Sequence, residues 1–310
     1  MAYPVKKVAP FFLLLKQAFT NLQANDPIRM AGATAFFSFF ALPPIVIILS
    51  RVLSQLFNDH YQRISGQLFD ELADLFGPKS ANQLEAISHR LQLAKPSFPL
   101  TVLSSVLVLV ASTTLFAIIK SSLNQLWNIK KKSGRNLLLI LIDKSVALAI
   151  ILGSGFLFSL SLALEQLLVQ LSTKWSLSSL THYQDIANLG HILVSILIRM
   201  IWFGILFKFL PDVKISWRAV WTGALFTSIL FKVGEAILNN LLINSQVGPL
   251  YGRSGAIILL LLFVFYASLI FYYGAAFTRQ YSEWIHLAAK PNSRAIAYTI
   301  TEVDPSNPGV

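Results

Sequence analysis

The chain has 310 residues, 55% of them hydrophobic and 13% charged, and a net charge of +11. An ordinary soluble domain has about a quarter of its residues charged, so this composition excludes a water-soluble globular protein and implies one that crosses a membrane several times. With no cysteine in the sequence, disulfides, thiol catalysis and cysteine metal sites are excluded as well.

Residues 1–27 make an N-terminal region expected in the cytoplasm. Within it, residues 11–24 place Phe11, Leu15, Ala18, Phe19 and Leu22 on one helical face, and the run is too short to cross. The pattern predicts an amphipathic helix lying in the membrane interface. No small-residue cleavage site follows, so no signal peptide is expected. Asp26 and Pro27 then suit the cap and the first position of a helix.

Apolar windows of about 20 residues, each able to cross a bilayer, predict six spans at 28–55, 99–119, 137–165, 187–209, 217–240 and 253–279 in a transmembrane domain over 28–286. The fold class is therefore all-α and polytopic. In the first span Pro43 and Pro44 lack amides, so the carbonyls of Phe39 and Phe40 lose their helical donors. Such carbonyls need protein donors or a water-lined cavity. A helix break is expected here, either a fixed kink satisfied by neighbours or a discontinuity lining a transport path, and Ser38, one turn earlier, would serve both.

Residues 58–98 form the one sizeable external loop. Ile64, Leu68, Leu72 and Leu75 at helical spacing, a Gly77-Pro78 stop and a capping box from Ser80 to Gln83 predict a small helical hairpin outside the membrane. The tail, 287–310, is polar, holds Pro291, Pro305 and Pro308, and is expected to be disordered.

Basic residues gather on one side of these spans: at the N-terminus, in the second loop from Lys120 to Arg135, in the fourth loop at Lys208, Lys214 and Arg218, and in the tail. The positive-inside rule then puts both termini in the cytoplasm. This accounts for the basic balance without nucleic acid. Lys130, Lys131 and Lys132 read first as a topology signal and second as a contact for anionic lipid headgroups.

Several segments resemble one family. They are Ala31-Gly32-Ala33-Thr34-Ala35-Phe36-Phe37 through Leu42-Pro43-Pro44; Leu123-Asn124-Gln125-Leu126-Trp127-Asn128 with the lysine run and Gly134; Phe209-Leu210-Pro211-Asp212 with Trp217-Arg218 and Gly223-Ala224; and Tyr251-Gly252-Arg253-Ser254-Gly255-Ala256. The sequence is similar in these to the YihY/virulence factor BrkB group of bacterial inner-membrane proteins. The resemblance implies six helical spans and an inner-membrane address. It leaves activity open, since members have been labelled a ribonuclease, linked to serum resistance and suggested to move lipid-like molecules. One departure is Ala276, where the family commonly has glutamate after Gly274-Ala275.

Ionisable residues inside spans cost about 2.5–3.5 kcal/mol each at the bilayer centre and mark bundle interiors or cavities. His191, Ser195 and Arg199 share a face of the fourth span; Ser228, Lys232, Glu235 and Asn239 share one of the fifth. Counting depth at about 1.5 Å per residue sets His191 level with Glu235 and puts Arg199 about 12 Å below Glu235 but about 6 Å above Asp143 in the third span. The predicted pairs are therefore His191 with Glu235 and Arg199 with Asp143. Lys144 and Arg253 lie near span ends and can snorkel. The set is either a closed polar network that fixes helix packing or a cavity for a charged headgroup or ion, with Arg199 and Lys232 attracting an anion and Glu235 or His191 taking protons.

The five histidines, His60, His89, His182, His191 and His286, are scattered with no metal-binding spacing, and no nucleotide or nucleophile motif occurs. Catalytic, cofactor and metal residues are therefore not expected, and a ribonuclease is disfavoured. Two functions remain: a transporter or flippase for a lipid or amphipathic anion, and a non-transporting scaffold or lipid-binding protein acting through its external hairpin.

Overall fold

Leu14, Ala18 and Leu22 recur every fourth residue, the spacing that aligns side chains along one side of a helix, and they are the buried residues of α1, Phe11–Gln23. The computed structural model describes residues 11–56, 113–131, 183–238, 255–293 and 295–299, with isolated pieces at 66, 69, 81–86, 89 and 153. α1 docks on the last long helix. The Tyr273 hydroxyl donates to the Leu15 carbonyl at 3.1 Å, and Phe11 meets Phe226 and Phe277 edge-on. The expected membrane-facing stripe is therefore divided: Ala18 and Leu22 face protein, while Phe11 and Phe19 remain exposed.

α2, Pro27–Leu56, begins as predicted, with Pro27 in the first helical position and the Asp26 carbonyl accepting the Met30 amide at 3.1 Å. Asp26 itself is left-handed, with φ 53°, and its carboxylate lies 3.6 Å from Arg29. The helix break expected at Pro43 and Pro44 is not an interruption, because α2 is one helix through both. Each proline removes one donor, and the turns on either side continue. Ser38 is buried, Phe39 partly buried and Phe40 exposed; the side chains of Pro43 and Pro44 lie outside the described ones.

α4 (Tyr183–Phe209), α5 (Trp217–Leu238) and α6 (Gly255–Trp284) follow α3, the helical residues 113–126. Apolar stretches long enough to cross a membrane occupy Ile192–Phe209, Trp217–Leu238 and Ile257–Trp284. These match the last three predicted spans, with α6 continuing five residues past the expected end at 279. Most of the spans predicted at 99–119 and 137–165 lie outside the described residues.

α5 and α6 cross through two glycines. A methyl group added at Gly223 would overlap the Thr278 hydroxyl, and one added at Gly274 would overlap the Thr227 hydroxyl. Each threonine donates at 2.7 Å to the carbonyl of the glycine one turn before it in its own helix. The same Gly-x-x-x-Thr unit thus serves both helices, each threonine filling the notch left by the other's glycine.

Four short strands join one end of the bundle: β1 (Ile129–Lys131), β2 (Val213–Lys214), β3 (Lys290–Pro291) and β4 (Ala295–Ala297). β1 pairs antiparallel with β4, Ile129 opposite Ala297; β2 pairs antiparallel with β3, Val213 opposite Pro291 and Lys214 opposite Lys290. This corrects the expectation of a disordered tail from residue 287. The tail is held as far as Tyr298, whose amide donates to the Asn128 carbonyl at 3.0 Å. Backbone pairing with two distant loops supplies the order that the tail's own polar sequence does not. The larger buried cluster lies at this strand-bearing end and includes Leu22, Leu126, Trp127, Leu210, Val213 and Phe277.

A second cluster joins Phe69 and Leu84 to Leu260 and Phe263, beside Phe39, Leu42 and Phe231. Phe69 and Leu84 belong to the loop expected to stand outside the membrane as a hairpin. Both lie in helical pieces and are buried with Leu260 and Phe263 of α6, because apolar side chains gain more from the bundle than from water. The rest of that loop is largely outside the described residues.

α6 stops with the Leu287 amide on the Ser282 carbonyl and the His286 amide on the Glu283 carbonyl, both at 3.1 Å, and with His286 at φ 57°. These are the two bonds of a helix stop that ordinarily places glycine in the left-handed position. Histidine there carries a steric cost of about 1 kcal/mol. His286→Gly should therefore raise the melting temperature in detergent; a fall would show that contacts of the imidazole outweigh the strain.

Candidate functional site

Arg199 stands ten residues before the end of α4 and Glu235 eighteen residues after the first residue of α5. Their backbones are offset, yet the Arg199 guanidinium lies 2.8 Å from the Glu235 carboxylate. Counting residues along the spans puts these two groups about 12 Å apart; the predicted partner of Arg199, Asp143, lies outside the described residues. Side chains lean towards the N-terminus of their own helix. In antiparallel α4 and α5, Arg199 therefore leans away from the strand-bearing end and Glu235 leans towards it, and two long side chains close an offset that counting Cα positions leaves open. The Lys232 ammonium is 3.4 Å from the same carboxylate oxygen. Arg199 also rests on the ring of Phe231, 5.5 Å from its centre.

Arg199 is 22% exposed, Glu235 15% and Lys232 38%, so the cluster sits at the margin of the described helices and is not sealed within them. Two cations share one carboxylate. The three groups together carry one surplus positive charge within helices whose outer surfaces are apolar, including Leu193 and Leu197 on α4 and Ile229 and Val233 on α5. Ser195 is partly buried one turn from Arg199. Ser228 is buried and donates at 2.7 Å to the Ala224 carbonyl of its own helix. Asp143 and Asn239, and the side chain of His191, lie outside the described residues, so the expected pairing of His191 with Glu235 does too.

A second polar centre, at the strand-bearing end, is assembled from residues to which the sequence attached no role. The Asn124 side-chain amide donates to one oxygen of Asp212 at 2.9 Å, its carbonyl accepts the Asp212 amide at 2.8 Å, and the Lys120 ammonium lies 2.9 Å from the other carboxylate oxygen. The Asp212 carbonyl accepts the Asn292 amide at 3.0 Å. One aspartate thereby ties α3, the corner between α4 and α5, and the tail. Arg279 of α6 donates to the Leu126 carbonyl at 2.6 Å, and Gln125 donates to the Asn25 carbonyl at 3.5 Å between α1 and α2. Asp212 is the one acidic residue in the basic stretch from Lys208 to Arg218, a signal that could have singled it out.

Between these centres the Tyr272 hydroxyl lies 2.7 Å from that of Thr34, both buried. Ala276, where the resemblance would place a glutamate, is fully buried in the apolar cluster. Lys130 is exposed on β1 beside Lys131, and Lys132 lies outside the described residues.

The family model for virulence factor BrkB matches residues 18–297. A UPF0761 membrane protein of Tolumonas auensis is 22% identical over 262 residues, covering 82% of this chain and 80% of the relative. That of Chromobacterium violaceum is 25% identical over 292 residues, covering 91% and 65%, and that of Teredinibacter turnerae 22% over 283 residues, covering 86% and 60%. The chain therefore spans less than two thirds of the length of these last two. No solved structure matches. The family match runs from within α1 to the last residue of β4 and takes in both polar centres: the chain belongs to the virulence factor BrkB family of membrane proteins.

Proposed function

We propose that this protein resides in the bacterial inner membrane with both termini cytoplasmic, spans it six times, and moves an amphipathic anion such as a lipid headgroup past the Arg199, Lys232 and Glu235 cluster, without enzymatic chemistry. The observation that carries the reading is the charge imbalance among the described residues: Arg199 and Lys232 both approach one Glu235 oxygen, at 2.8 and 3.4 Å. An uncompensated cation within a membrane span is costly, and an anionic ligand offsets that cost when it visits. A second reading, a non-transporting scaffold, is favoured by the direct contact between Arg199 and Glu235, which a closed packing network also requires.

The test is translocation by purified protein in liposomes, with headgroup-labelled phosphatidylglycerol compared with phosphatidylcholine. Lys232→Gln removes the surplus charge and keeps the Arg199–Glu235 pair. Phosphatidylglycerol movement should fall about tenfold, the effect of about 1.4 kcal/mol on a rate, while the protein stays folded. Folded wild-type protein that moves neither lipid would favour the scaffold; a variant that moves phosphatidylglycerol as fast as wild type would take Lys232 out of the path.

A further inference from the structure

The fourth loop places cations and exposed aromatic rings together at the strand-bearing end. In the β2·β3 ribbon Lys214 and Lys290 are directly opposite, and both are exposed. Opposed residues of an antiparallel pair project from the same side, and like charges so placed destabilise the ribbon. Three and four residues beyond Lys214, Trp217 and Arg218 are exposed too. Trp217 stacks on Trp221 with ring centres 5.7 Å apart and meets Phe209 edge-on at 6.2 Å. The Lys208 ammonium sits 5.0 Å from the centre of the Trp217 ring and donates to the Ile215 carbonyl. Phe209, Trp217 and Trp221 are all more than a third exposed.

Among the described residues no acidic side chain pairs with Lys214, Lys290 or Arg218. Asp212, the acid of this stretch, is engaged by Lys120 and Asn124. Tryptophan exposed at the end of a membrane span belongs at headgroup level, where its ring is apolar on one side and wet on the other. We propose that the Lys214–Lys290 pair with Arg218 binds the headgroup phosphate of an anionic phospholipid, with Phe209, Trp217 and Trp221 against its glycerol and upper acyl chains. The cations select charge; the rings select lipid over a soluble phosphate. The site is at the opposite end of α5 from Lys232 and Glu235, and it does not depend on transport.

The experiment measures melting temperature and lipid retention of the full chain in neutral detergent, with added phosphatidylglycerol, phosphatidylcholine or inorganic phosphate. Phosphatidylglycerol should stabilise the wild type and the other two should not. Lys290→Gln should have opposite effects in the two settings: more stable than wild type in neutral detergent, because the opposed charge is gone, and less stabilised by phosphatidylglycerol. Lys214→Gln with Lys290→Gln should weaken phosphatidylglycerol retention about tenfold or more, at about 1 kcal/mol per lysine near a charged surface. Equal retention by the double variant would overturn the proposal, as would equal stabilisation by phosphatidylcholine. Stabilisation by inorganic phosphate alone would assign the cations to a soluble anion and also overturn it.

Discussion

Gly223→Ala and Gly274→Ala should each lower the melting temperature in detergent by about 5–10 °C, taking an overpacking cost of about 2–3 kcal/mol. Lipid tails are as apolar as leucine, so helices in a membrane are held by close packing and polar contacts and gain little from leaving lipid. α5 and α6 achieve that closeness where Gly223 faces Thr278 and Gly274 faces Thr227. Neither threonine has room to yield, since both are fully buried and bonded to their own helix. Gly32→Ala is the control, because an added methyl there meets nothing within 4 Å. Gly223→Ala combined with Thr278→Gly shifts bulk across the same contact and should recover part of the loss. A double variant no more stable than Gly223→Ala alone would place the damage elsewhere.

The distance between sequence reading and structure varies with the range of the interaction. Span positions follow from runs of apolar residues, a local signal, and α4, α5 and α6 lie where the runs predict. Arg199, Lys232 and Glu235 were visible as charges on apolar helices, but their pairing depended on which way each side chain leans along its helix. Counting residues captures depth and misses that lean by several ångströms. The tail was harder still: nothing in residues 290–297 reads as strand, because Lys290-Pro291 and Ala295-Ile296-Ala297 are ordered by partners far away in the chain. Gly223 and Gly274 stood within segments noted for their resemblance to the family, yet their reason lies across a helix crossing that one sequence does not display.

Asp212→Ala should loosen the whole strand-bearing end, and its effect should be the largest of any single polar substitution among the described residues. Removing one partner of a buried ion pair costs about 3–5 kcal/mol. Here Lys120 and Asp212 retain 15% and 13% exposure, so about 2–3 kcal/mol is the expectation. Asn124 loses an acceptor at the same time, since its amide donates to that carboxylate while its carbonyl holds the Asp212 amide. Asn124→Ala should therefore cost less when Asp212 is already alanine, and the double-mutant cycle should show coupling of about 1–2 kcal/mol. Hydrogen exchange distinguishes this linkage from general destabilisation. The Asn292 amide bonds to Asp212 and the Tyr298 amide to Asn128, so both should exchange faster in Asp212→Ala while the middle of α6 keeps its protection. Uniform loss of protection along α6 would mean that the aspartate supports the bundle as a whole. Protection unchanged at Asn292 would mean that β2 and β3 hold the tail without it.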